Sequence, residues 1–259
     1  MRCQLVLICV ASLLLGAASC SDDSGGATNA LTFKGTQNAL PNYSFDTGYL
    51  PSGSPAQVKM ELKSGGGITV EARATASGDS LTAEAGSGKV TMAMELKFQV
   101  KLKVDVTGIK YDGPLKNAPD ISLKFGGTTP FEPFLLGKTV TVTADVPETK
   151  LATIPLAAAL GLPGVTGDLE LKVSGKMKSD YSGVCAKAGG GAAQYTGKTV
   201  TSGDLKIIAT LKLKALMYSK TVGPFDIPVT IPAIPATMDL GIKSLTGGAA
   251  PKVGPCAGG

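Results

Sequence analysis

The chain has no histidine and no tryptophan in 259 residues. Without histidine it lacks the side chain that most often serves as a general base near neutral pH, and the commonest metal ligand. Its serines therefore have no imidazole to activate them. Aromatic residues number only 6 Tyr and 7 Phe, too few for the stacked platform on which proteins hold neutral sugars. Nowhere do five like charges follow one another. The net charge of +5 is spread along the chain, so nothing points to nucleic acid. The acidic residues sit mostly between lysines, as solvated surface charges do, and no pair is set apart for acid/base work. Asp22-Asp23 and Asp79 do not make a calcium loop. Gly65-Gly66-Gly67 and Gly189-Gly190-Gly191 lack the Lys-Ser/Thr of a phosphate loop. No catalytic residue, metal site or cofactor is expected.

What is present begins at the N-terminus with MRCQLVLICVASLLLGAASC. Arg2 supplies a positive end, and Leu5 to Leu15 an apolar run broken only by Ser12. That run is about half of the roughly 20 apolar residues that span a bilayer, so residues 1–19 read as a cleavable signal peptide. Gly16, Ala17, Ala18 and Ser19 then lead into Cys20. Small residues before a cysteine resemble the lipobox of bacterial lipoproteins, although Ala17 stands where leucine is commonest. The resemblance covers this segment alone. It implies three acyl chains on Cys20, enough for stable anchoring where one chain is marginal. Ser21, directly after the cysteine, resembles an outer-membrane address, which places the chain in the bacterial cell envelope.

Residues 20–30 then form a polar, Gly-containing tether, and ten such residues reach roughly 17–19 Å. Removing Arg2 with the signal leaves 24 basic residues against 20 acidic ones, a net charge of +4. Cys3 and Cys9 also leave with the signal. Cys185 and Cys256 remain, an even pair in an oxidising compartment, and a disulfide between them is expected.

The body, 31–259, is expected to form one β domain. In 89–107, KVTMAMELKFQVKLKVDVT, all nine even positions from Val90 to Val106 are apolar, and every odd position but Ala93 is polar. Period two puts the two sets on opposite faces of a strand. Residues 90–106 would extend about 56 Å at ~3.3 Å each, so this strand must bend, twist, or run the length of the molecule. The same alternation recurs over 58–62, 68–76, 81–85, 121–125, 140–146, 169–173, 205–217 and 238–242, with turn signals such as Ser77-Gly78-Asp79-Ser80 and Ser202-Gly203-Asp204 between. About nine strands, some very long, predict an all-β antiparallel sandwich or half-open barrel.

Two segments break the pattern. Pro155 and Pro163 limit any helix in 147–165 to one or two turns around Leu156–Leu160. The prolines of 222–237 predict an edge strand or an extended lip.

Two roles fit this body. One is structural or interactive, without catalysis, in a protein whose partner is the membrane that holds its anchor. The other is carriage of a hydrophobic ligand such as a lipid, in a cavity lined by Met92, Phe98, Leu211 and Leu213. In outline that second arrangement resembles envelope lipoproteins whose half-barrels shuttle acyl chains.

Overall fold

The computed structural model describes residues 29–41, 43–77, 80–106, 108–131, 139–189, 192–215 and 217–244. Eleven strands and one short helix follow in order. They are β1 (Asn29–Asn38), β2 (Ser44–Asp46), β3 (Ala56–Ser77), β4 (Ser80–Ala83), β5 (Gly88–Val106), β6 (Ile109–Pro114), β7 (Ile121–Phe131), β8 (Thr139–Pro155), α1 (Leu156–Leu160), β9 (Val165–Gly189), β10 (Ala192–Ala215) and β11 (Tyr218–Ser244). β1 starts at Asn29, so the last two residues of the stretch read as tether already belong to the sheet.

All the ladders are antiparallel. The strand order is β6-β5-β3-β1-β11-β10-β9-β8, with β2 and β4 beside β3 and β7 beside β5. β5 realises the alternation as expected: Val90, Met92, Met94, Leu96, Phe98, Val100, Leu102, Val104 and Val106 are all buried. They share one hydrophobic cluster with the inward faces of β8, β9, β10 and β11, strands far away along the sheet. Rolling the sheet lets one apolar face bury itself without a second layer.

The roll brings the two ends together without a ladder between them among the described residues. A Cβ on Gly127 of β7 would lie 2.0 Å from the Thr143 carbonyl oxygen of β8, so glycine permits this approach. Beside it, the Phe131 ring meets Tyr181 of β9 edge to face at 5.6 Å. At the other end of this seam the Lys116 N–H donates to the Ala159 carbonyl of α1 at 2.7 Å. α1 is the single turn that the flanking prolines permit, and it buries Leu156, Ala159 and Leu160. The sheet therefore makes a barrel that is half open in its hydrogen bonding. Gly66 of β3, at φ +94°, allows a bend mid-strand that an L side chain would resist.

A second seam explains the prolines. β11 pairs with β1 only over Gly241–Ser244, so among the described residues its edge from 218 to 240 has no ladder partner on that side. The Tyr43 hydroxyl reaches the Thr230 carbonyl on this edge at 3.1 Å. Thr230 thus points its backbone away from β10, and Pro228, in the same phase, turns its missing N–H to the same open side. Register shifts place 223–224 opposite Thr210 and 232–233 opposite Ser202, two bulges of one extra residue each. Pro224 and Pro232 sit in those bulges. Past the second bulge the phase flips, and Pro235 faces the open edge in turn. An edge on which prolines remove some of the donors recruits another chain's strand less readily. Replacing both Pro228 and Pro235 with Thr should restore two donors and produce larger species in light scattering. An unchanged mass would contradict this role of the prolines.

Candidate functional site

The cysteines come first. Cys20 lies outside the described residues, and so does Cys256. Cys185 falls within β9, with its side chain outside the described residues. The structure therefore places the backbone around one of the three.

The four residues singled out as a cavity lining are deep in the body. Met92 pairs with Ile68 and Gly127, and Phe98 with Leu62 and Ile121. Leu211 pairs with Leu169 and Val222, and Leu213 with Gly167 and Lys220. Rolling the sheet places β5 and β10 in one core, so all four belong to a single cluster. Their exposures are 1% for Met92, 5% for Phe98, 0% for Leu211 and 2% for Leu213. Around them Val58, Ile68, Leu96, Leu169, Leu171 and Ala209 are fully buried. Side chains lining a void wide enough for an acyl chain would expose surface to it, so neighbouring side chains fill the space beside these residues.

Three polar side chains inside the body escaped the sequence reading: Ser179, Thr199 and Thr201. The Thr201 hydroxyl meets that of Ser179 at 3.0 Å, while the Thr199 hydroxyl has no partner. They interrupt the apolar alternation of β9 and β10, so the alternating runs 169–173 and 205–217 fall short of the full strands.

Charged groups stay on the outer face. Lys59 bonds Asp46 at 2.6 Å and Lys101 bonds Glu61 at 2.6 Å. The Lys59 ammonium holds Asp46 below the usual carboxylate range, and the Lys101 ammonium does so for Glu61. With both depressed, what they contribute to stability is present at neutral pH and is lost as pH falls through their folded-state values. Among the described residues no three His, Cys, Asp or Glu side chains converge as metal ligands.

The largest pKa displacement belongs to Tyr49. Burial, followed by its hydrogen bond to the Asp112 carboxylate, pushes its phenol up to about 12. Lys103 stands 5.9 Å over the ring. This cluster ties β6 to the segment before β3. Because the neutral phenol is favoured, the bond persists below the ordinary tyrosine pKa and is lost as pH rises towards 12. Phenolate absorbance should show one component titrating near pH 12 that Tyr49→Phe removes; a component that survives the substitution would contradict the assignment.

No family model, curated protein or solved structure matches this chain. Its function must be argued from its own residues.

Proposed function

We propose that this is a lipid-anchored protein of the bacterial cell envelope, held through Cys20 at the outer membrane, that acts by the outer surface of a filled β body and performs no catalysis. The observation that carries this reading is the packed interior. Leu211 and Met92 are 0% and 1% exposed, which supports an interior filled by neighbouring side chains over one that holds an acyl chain. That favours a structural or interaction role over carriage of a hydrophobic ligand.

The arrangement of the faces supports it further. A barrel that spans a membrane turns apolar residues outward. Here the outward rows carry ion pairs, such as Lys34–Glu71 at 2.6 Å and Lys89–Glu71 at 2.9 Å, so contact with the bilayer falls to the anchor. No described helix is long and apolar enough to cross a membrane.

Radiolabelled palmitate tests the anchor. The parent should take up label and sediment with outer membranes, while Cys20→Ala should do neither. An unlabelled parent, or a labelled Cys20→Ala protein, would overturn the assignment.

A further inference from the structure

The body has two ends of different character. Leu31 of β1 pairs with Ser244 of β11, so the start of the body, with the stretch that leads back to Cys20, lies where β11 finishes. The opposite end of β11 is Tyr218, and the strand is 27 residues long. At about 3.3 Å each, less its bulges, that is roughly 80 Å of contour. Barrel strands tilt, which shortens the span along the axis but keeps the two ends apart.

The far end is apolar and ringed by positive charge. There the hairpin of β10 and β11 closes with Ala215 paired to Tyr218, and Met217 stands in the turn. Met217 is the one large apolar side chain among the described residues that is wholly exposed. Ala215 also pairs with Val165, whose N–H donates to the Leu162 carbonyl, so the turn after α1 neighbours this tip. Residues 156–165 carry no charge, and Ala157, Ala158 and Pro163 are exposed. Beside them Lys212, Lys214 and Lys220 are exposed too. Among the described residues none of the three has a carboxylate within ion-pair distance, although Asp168 faces Lys212 across the ladder. A single exposed apolar side chain is ordinary on a protein surface. Here it coincides with an uncharged neighbour and unpaired lysines.

We propose that this end docks on an anionic lipid bilayer, a second membrane facing the one that holds the anchor. Met217 enters the acyl boundary, the half-buried Tyr218 ring lies at headgroup level, and the lysines meet the lipid phosphates. Anionic headgroups supply the counter-charge that the chain itself does not. A protein partner suits this end less. A hairpin tip beside one turn of helix falls far short of the roughly 20–30 residues that a standard interface engages on each side. Only the first membrane depends on the reading of Cys20; the affinity of the tip for lipid does not.

The test uses the mature chain from Ser21 onward, exported behind an ordinary cleavable leader so that no acyl chain contributes. The body is untouched, since β1 starts at Asn29. The chain is floated with vesicles of phosphatidylcholine, alone or mixed equally with phosphatidylglycerol. It should float with the mixed vesicles, less so as salt rises, and hardly at all with the neutral ones. Met217→Ser should weaken partition on the order of tenfold, through the loss of one buried apolar side chain. Lys214→Glu with Lys220→Glu should weaken it at least as much. Lys97→Glu with Lys198→Glu makes the same change in net charge far along other parts of the strands and should alter partition little. Each variant's circular dichroism is compared with the parent's. No flotation of the parent overturns the proposal. So does undiminished flotation of Met217→Ser, equal loss in the control pair, or equal binding to both kinds of vesicle. The acylated parent, seated in neutral vesicles, should cluster added anionic ones in light scattering, and a failure to cluster them overturns the second membrane. A photoreactive benzoylphenylalanine in place of Met217 should mark phospholipid in cells, whereas a discrete protein adduct overturns the choice of lipid.

Discussion

Leu211→Ala should lower the stability of the folded body by about 2–5 kcal/mol, at the upper part of that range. Leu211 is fully buried, and hydrogen-bonded strands flank it on both sides, with Leu169 and Val222 as register partners. The backbone around it cannot collapse to fill the space, so the cavity penalty adds to the lost transfer energy. For a body of this size each kcal/mol shifts Tm by about 2–4 °C, so the expected fall is roughly 7–20 °C. Met217→Ser, at the fully exposed tip between β10 and β11, should leave Tm nearly unchanged. A cavity-bearing body behaves differently: a side chain that already borders a void loses few contacts on truncation. A fall in Tm for Leu211→Ala no larger than that for Met217→Ser would therefore argue for an interior with open space.

The proposed Cys185–Cys256 bridge, once broken, should cost a similar amount. The bridge would close a loop of about 70 residues, which the chain-entropy account values at about 4 kcal/mol. The strand register leaves the pairing within reach. Val184 pairs with Thr196 and Tyr195 with Leu240, so Cys185 stands level with Leu240 across two strands. At about 4.8 Å per strand, β11 and β9 are about 10 Å apart. From Ser244, where β11 ends, the chain runs twelve more residues to Cys256, which at about 3.3 Å each is a reach of roughly 40 Å. Cys185→Ser with Cys256→Ser should melt about 8–16 °C lower than the parent, and the parent should melt as low once reduced. A native parent with two thiols that react with Ellman's reagent would contradict the bridge.

The sheet was legible wherever a strand has one wet and one dry face. The nine apolar positions of 90–106 are all buried because β5 is paired for almost its whole length without a bulge. Legibility failed where the phase changes within a strand. Two bulges in β11 reverse its inward face twice, from Val222 to Ile227, Val229 and Ile231, and then to Met238 and Leu240. Read at a fixed period, 222–237 looks like an edge strand or an extended lip separate from the run at 238–242. β9 and β10 were cut short for another reason, since Ser179, Thr199 and Thr201 face inward where the alternation calls for apolar residues.

The candidate lining was half legible. The apolar character and inward direction of Met92, Phe98, Leu211 and Leu213 follow from alternation. Whether the faces meet or leave a gap depends on how tightly the sheet rolls, which is set by close approaches such as Gly127 against Thr143. The open groove on the outer face beside Ala93 and Gly126 was not legible at all. It exists because Gly67, Ala93 and Gly126, far apart in the chain, fall into one row, and strand register is a property of the assembled sheet.

Native mass spectrometry tests the central claim most directly. The body would be exported behind an ordinary cleavable leader in place of the anchor and purified without detergent. A filled interior predicts the mass of the polypeptide alone, less the two hydrogens of one disulfide, and no apolar material in an organic extract. A stoichiometric lipid adduct that the extract removes would contradict it, and would show that the inward face of this barrel is a pocket.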